Sequence, residues 1–411
     1  MESARNYGII TAAYWAFTLT DGALRMLVLL HLHELGIGAL LLAAIFLAYE
    51  LMGVVTNGLG GWIGSRTGLK ATLISGLMLQ VAACSMLRVE DAALTVLWLT
   101  LTQVLSGVAK DLTKMSAKSY IKLVVPEDQS SQLMRWVSWL TGSKNALKGA
   151  GFFLGAWSLG AFGFQETCGV MALGLVVAAL AAGLSLPPRS GRSQTKLPLK
   201  ELIPDDPRIT WLSVARLFLF GSRDAWFVLA LPLFASSALG WSHDAVGGLL
   251  AAWVMGYGVI QASAPGWVSR GDGPPGARTL GVWTLLLLGP LLGLEVLLGW
   301  FEPSATAILI ALAVFGAVFA ANSAIHSYLI VSYADRDGVS ARVGFYYMAN
   351  AAGRALGTVL SGALYQASGA GAEGLFACVA ASVILVALSA VATQRLVEAE
   401  ERVTAHERPG L

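Results

Sequence analysis

The chain has 411 residues, of which 13% are charged, where a soluble globular protein carries roughly 25%. Hydrophobic residues make up 56%, and the formal net charge is only +2. A water-facing surface cannot be built from so few charges, so a soluble multidomain chain is excluded. Nothing basic enough to hold a nucleic acid is present either. The composition predicts an integral membrane protein.

A helix needs about 20 mostly apolar residues to cross a bilayer core. Taken in chain order, such segments lie near 7–31, 39–62, 70–88, 93–117, 133–159 and 166–186. They resume near 209–236, 245–268, 278–300, 305–331, 342–366 and 374–394. Asp21 and Arg25 interrupt the first segment, which rules out a cleavable signal peptide. The reading is an all-α membrane protein of twelve spans. Residues 1–186 form one six-helix bundle, 187–208 a cytoplasmic linker, 209–394 a second bundle and 395–411 a cytoplasmic tail. Basic residues gather in the central linker, in the tail and beside Arg66, Lys70, Lys122, Arg135, Arg270, Arg278, Arg336 and Arg342. The opposite connections offer only Arg88, so both termini are expected in the cytoplasm.

The halves echo each other. Gly53-Val54-Val55 and Gly61-Trp62-Ile63 recur as Gly258-Val259-Ile260 and Gly266-Trp267-Val268, and Phe17 and Asp21 as Phe220 and Asp224. Ser119-Tyr120-Ile121 recurs as Ser327-Tyr328-Leu329. Parallel six-helix repeats of this kind resemble the major facilitator carriers, which hold substrate between the repeats near the midplane. The loop Gly61-Trp62-Ile63-Gly64-Ser65-Arg66-Thr67-Gly68-Leu69-Lys70 is similar to that superfamily's signature loop, with Ser65 where an Asp is usual. The resemblance marks Gly61, Arg66, Gly68 and Lys70 as a gating loop; topology signalling alone is the competing reading of Arg66 and Lys70.

An ionisable group at the bilayer centre costs about 2.5–3.5 kcal/mol on insertion scales, so it normally faces a cavity or a partner. Asp21 and Arg25 stand in span one, Glu50 and Asn57 in span two, and Lys110, Asp111, Lys114 and Lys118 in span four. Span five carries Lys144, Asn145 and Lys148, span seven Arg216, Arg223 and Asp224, and span eleven Asn350 and Arg354. Among the deeper positions, Arg25, Lys110, Lys114, Lys144, Lys148, Arg223 and Arg354 outnumber Asp21, Glu50, Asp111 and Asp224. The missing negative charge would come from a substrate. A positively lined, low-dielectric cavity concentrates anions, with Arg forks suited to oxyanions and Lys acting as a point charge. These basic residues, with Asn350, are the candidate substrate-binding set. Asp21, Glu50, Asp111, Asp224 and His326 are candidate ion-pair or proton-coupling groups. Structural pairing of Asp21 with Arg25, and of Arg223 with Asp224, competes with that reading. Lys118 and Lys122 are expected to snorkel to the cytoplasmic interface.

Other patterns point nowhere. Gly369-Ala-Gly371-Ala-Glu-Gly374 fits GxGxxG without the strand and helix it requires. His31 and His33 do not share a helix face. Glu295 reads as interfacial. Cys84, Cys168 and Cys378 are too dispersed for a thiolate metal site. No catalytic constellation, metal or cofactor is expected.

The stretches Phe17–Leu30, Ser106–Lys118 and Leu140–Gly149 resemble the ArsJ-type organoarsenical efflux permeases of the major facilitator superfamily. The resemblance covers nearly the whole chain and is densest in its first half. It implies export of 1-arseno-3-phosphoglycerate, which glyceraldehyde-3-phosphate dehydrogenase forms when arsenate replaces phosphate, and hence arsenate resistance. It implies a functional link to that dehydrogenase and a monomer in the inner membrane. From the residues alone the reading stops at a carrier of organic polyanions, and an organophosphate/inorganic phosphate antiporter of the same superfamily would use the same basic cavity.

Overall fold

The computed structural model describes residues 2–35, 37, 41, 45–57, 68–126, 128–187, 204–228, 230–241, 243–268, 274–301, 304–335, 339–369 and 371–407. The first half contributes α1 (Glu2–Glu34), α2 (Ile45–Asn57), α3 (Leu69–Met86), α4 (Val96–Val124), α5 (Ser130–Phe162) and α6 (Phe164–Ser185). The second contributes α7 (Pro207–Phe227), α8 (Ala230–Ser237), α9 (His243–Ser263), α10 (Pro265–Val268), α11 (Ala277–Leu286), α12 (Leu288–Trp300), α13 (Ala305–Tyr333), α14 (Val339–Ala367) and α15 (Gly371–Glu407). No strand occurs among the described residues.

Among the described residues, six helical stretches are long and apolar enough to cross a membrane: α3, α6, α7 with α8, α11 with α12, α13 and α15. Helices α1, α4, α5 and α14 are as long, at 29–33 residues, but carry the interior charges that the sequence singled out. Large apolar side chains point outward along the bundle, with Leu184 87% exposed and Phe153 71%. That is a surface for lipid, not for water.

Local chemistry sets the ends and breaks. Thr95 caps α4 by accepting from the Trp98 amide at 3.3 Å, and Asp206 caps α7 through the Arg208 amide at 2.8 Å with Pro207 in the first turn. Gly163, at φ +84, turns the chain straight from α5 into α6. Three predicted spans are split, 245–268 among them at Ala264, just before Pro265. Pro232 and Pro290 lack the amide that would bond the carbonyl four residues back, and the helix breaks just there, between α7 and α8 and at Leu287 between α11 and α12. The last helix runs unbroken through residue 394, where the sequence reading ends the final span, to Glu407.

The two halves pack by the same device. Gly151 and Gly155 press α5 onto the backbone of α1, where a methyl group on either would run into the carbonyl oxygen of Leu19 or Ala23. Gly353 and Gly357 press α14 onto α7 in the same way, against the carbonyls of Leu217 and Gly221. Small residues one turn apart let helices approach to backbone contact. Each pair of helices is thereby locked.

The two termini lie at one end of the bundle. Tyr7 donates to the Trp136 carbonyl at 3.2 Å, and Glu400 accepts from Tyr333 at 2.6 Å and from the Ala277 amide at 3.0 Å. The halves join at this end. The Gly142 and Gly258 backbones touch, Lys122 bonds the Ser332 carbonyl at 3.0 Å, and one apolar core runs from α1 through α5 into α13 and Tyr346.

Candidate functional site

The charged residues of α1, α2, α4, α5, α7 and α14 converge inside the bundle. Glu50 lies at the centre. Its Oε1 accepts from Arg25 Nη2 at 3.3 Å and from Arg354 Nη2 at 3.0 Å, and its Oε2 is 3.7 Å from Lys110 Nζ. One carboxylate therefore holds cations from both halves of the chain. Asp21 accepts from Tyr49 at 2.6 Å and from Lys148 at 3.0 Å. Asp224, fully buried, accepts from Arg223 Nε at 2.6 Å and Arg354 Nε at 3.1 Å. Asp111 pairs with Lys114 at 2.5 Å and accepts from Thr56 at 3.1 Å. Aromatic faces add to the cation-holding surface: Lys110 Nζ stands 3.8 Å from the Tyr49 ring centre and Lys114 Nζ 4.3 Å from that of Tyr347.

The repeat is visible in this chemistry. Asp21 on α1 holds a cation of α5, and Asp224 on α7 holds a cation of α14. These are the helix pairs that the glycines lock.

A second layer lies nearer the end that carries the termini. Arg216 donates to Asn350 Oδ1 at 2.9 Å and to Ser323 Oγ at 3.0 Å. Gln261 donates to the same Ser323 oxygen at 3.3 Å and accepts from Asn145 at 2.8 Å. This chain of amides and hydroxyls again spans both halves.

The structure brings together Arg25, Lys110, Lys114, Lys148, Arg223 and Arg354 with all four interior carboxylates. Asn350 is tied to Arg216. Lys144 is half-buried on α5 and forms no ion pair among the described residues. His326 is buried beside Tyr346, and neither ring nitrogen has a hydrogen-bond partner among the described residues. In the signature loop, Gly68 (φ +93) caps α3 and Lys70 bonds the Leu186 carbonyl at 2.6 Å, joining α3 to the end of α6. Gly61 and Arg66 lie outside the described residues.

Two expectations are corrected. Asp21 and Arg25 do not pair with each other; each reaches a partner on another helix. Lys118 does not snorkel: it is 2% exposed, with Nζ 5.1 Å from the Tyr347 ring centre and no hydrogen bond among the described residues. The approach of α14 encloses that level of α4, which no single-helix reading could show. Tyr49, Tyr347 and Gln261 also escaped the sequence reading. Tyr49 had a signal, its place next to Glu50; Tyr347 and Gln261 look like ordinary span residues.

A family model described as the Major Facilitator Superfamily matches residues 10–260. The chain belongs to the major facilitator superfamily. Solved structures agree in fold. A bacterial homologue of the iron transporter ferroportin in an outward-facing state is similar at TM-score 0.76 and 14% identity, over 96% of this chain and 99% of that one. The fucose:proton symporter of E. coli follows at 0.70 and 13%, covering 95% and 99%. A human organic anion transporter gives 0.71 and 14%, covering 95% and 99%. The sequence matches no curated protein. Members of the major facilitator superfamily are transporters rather than enzymes, so this multi-pass chain is a carrier handling a small molecule within a lipid bilayer.

Proposed function

We propose that this major facilitator carrier exports an organic polyanion, 1-arseno-3-phosphoglycerate, from the cytoplasm across the inner membrane, and so confers resistance to arsenate. One observation carries the charge class. The interior of the bundle holds nine basic side chains (Arg25, Lys110, Lys114, Lys118, Lys144, Lys148, Arg216, Arg223 and Arg354) against the carboxylates Asp21, Glu50, Asp111 and Asp224. A substrate with two separated oxyanions offsets that excess and accounts for its spread over five helices. The arsenic rests on the resemblance of the charged motifs in α1, α4 and α5 to the organoarsenical permeases. Scattered buried thiols are consistent with it, because a pentavalent arsenate ester is an oxyanion and needs no vicinal cysteines. The human neighbour described as an organic anion transporter is in keeping with the charge class.

In this reading the bundles 1–186 and 209–394 rock about the site, and the end carrying the termini is cytoplasmic by the positive-inside rule. Substrate oxyanions exchange for the carboxylates on Arg25, Lys110, Lys114, Lys148, Arg223 and Arg354, while Asp21, Glu50, Asp111 and Asp224 hold those cations when the site is empty. The reading is tested in cells that express the carrier with glyceraldehyde-3-phosphate dehydrogenase. They accumulate less arsenic from arsenate and gain no protection against arsenite. Equal protection against arsenite sinks the pentavalent-ester reading, since a cationic cavity has no hold on neutral arsenous acid.

A further inference from the structure

Most interior cations form an ion pair with a carboxylate; among the described residues three do not. Arg216, 4% exposed, is bonded among the described residues to the neutral groups of Asn350 and Ser323 and stacks on Phe220 at 3.7 Å. Lys118, 2% exposed, has no hydrogen bond among the described residues and faces the Tyr347 ring. Lys144 has no ion pair there; it stands one turn from Lys148 toward the end of α5 that carries the termini, as Lys118 stands one turn from Lys114 on α4, and Asp21 is the carboxylate whose field reaches it. The Tyr346 and Tyr347 rings, 5.1 Å apart, link the two sides: Arg216 stands 5.3 Å from the first and Lys118 5.1 Å from the second. The Tyr346 hydroxyl is a further buried group without a partner among the described residues.

Burying like charges together without a counter-charge costs more than burying any one of them. A fold that needed only structural cations would have placed a carboxylate here, as it does around Lys110, Lys148 and Arg354. We propose that Lys118, Lys144 and Arg216 form a second oxyanion subsite, one layer nearer the end carrying the termini, that receives a tetrahedral phosphate-type group. This deepens the polyanion reading and rests on it. The Glu50 layer takes one oxyanion of the substrate and this layer the other. In the present conformation the layer is closed over by Asn145–Gln261 and Lys122–Ser332, so the oxyanion enters it when the halves part at that end. Arg216 and Lys118 become binding residues that the charge pattern alone did not select.

The test is anion binding to purified full-length protein in detergent, read by calorimetry and by thermal melting. The probes are 3-phosphoglycerate, inorganic phosphate and chloride. Wild type is compared with Lys118→Gln, Lys144→Gln, Arg216→Gln and the charge-keeping Lys118→Arg. The expected result is a loss of about tenfold to a hundredfold in 3-phosphoglycerate affinity for each Gln variant, as for one charge-assisted hydrogen bond, with Lys118→Arg close to wild type. Melting without anion stays unchanged or rises in Lys118→Gln and Lys144→Gln, because each removes a repelled charge and no ion pair, and falls in Arg216→Gln, which also loses the bonds to Asn350 and Ser323. A matching loss for inorganic phosphate makes free phosphate a ligand of the subsite; a loss confined to 3-phosphoglycerate means that the subsite reads the tethered group. If the Gln variants bind 3-phosphoglycerate as wild type does, the subsite is wrong and the polyanion reading stands. If wild type binds no organic dianion, both fail. Should Lys118→Gln not fold, the half-buried Lys144 carries the same comparison.

Discussion

At the scale of the residue, the site divides cations that are held from cations that are not. Glu50 holds Arg25, Lys110 and Arg354 at once, so Glu50→Gln takes the ion pair from Arg25 and Lys110 and leaves Arg354 with Asp224 alone. Breaking a buried pair by removing one partner costs about 3–5 kcal/mol. Glu50→Gln is therefore expected to melt well below wild type, whereas Lys144→Gln, which breaks no pair, melts with it yet loses about tenfold to a hundredfold in transport. Melting and vesicle uptake on the same preparations check both. The opposite ordering would make Lys144 structural and Glu50 dispensable. Arg354 uses two different nitrogens, Nη2 to Glu50 and Nε to Asp224. A lysine cannot span both, so Arg354→Lys is expected to impair uptake despite keeping the charge. Wild-type uptake in that variant would mean that charge alone suffices.

The residue scale also shows what a sequence can and cannot disclose. That Lys110, Lys114 and Lys148 are interior was legible, because a charge in an apolar span has few other places to go. Their partners were not. Asp21 to Lys148 and Glu50 to Arg354 are contacts between helices far apart in sequence, fixed by packing that no helical period encodes. Lys118 failed for the same reason: its depth depends on α14.

At the scale of the element, the α1–α5 and α7–α14 crossings set the site, since each brings an aspartate to a cation. Their glycines are close-approach positions, and a methyl group at Gly353 meets the Leu217 carbonyl while one at Gly174 meets nothing. Gly353→Ala is expected to lower the yield of folded protein sharply and Gly174→Ala to leave it unchanged, as size-exclusion profiles in detergent would show. Equal profiles would mean that α14 is free to shift away from α7 and that the crossing does not fix Arg354. Span positions were readable from apolar length, and the echo of Phe17 and Asp21 in Phe220 and Asp224 announced the repeat. The splits at Pro232 and Pro290 needed no more than proline chemistry, yet an apolar count passes over them.

At the scale of the molecule, the joined end is the end that carries the termini, and the positive-inside rule leads us to propose that it faces the cytoplasm. Reporter fusions after residues 66, 200, 278 and 400 are expected to report cytoplasm, and fusions after 36, 165, 241 and 370 the other side. One reversed site in the first half breaks the twelve-span arrangement. The superfamily was legible from repeat, loop and span count together, since each constrains the whole chain. The cargo was legible only as a charge class, because a cationic interior recognises oxyanions without naming the carbon skeleton between them.

The most direct test of the central claim is arsenic uptake into everted inner-membrane vesicles that contain the carrier. Radiolabelled arsenate is supplied with glyceraldehyde-3-phosphate, NAD and the dehydrogenase, so that 1-arseno-3-phosphoglycerate forms outside the vesicle. The account predicts uptake that requires every component, exceeds that of vesicles without the carrier, and falls in Lys144→Gln. Uptake no greater than in carrier-free vesicles, alongside brisk exchange of phosphate for an organophosphate, would contradict it and make the protein an antiporter of phosphate esters.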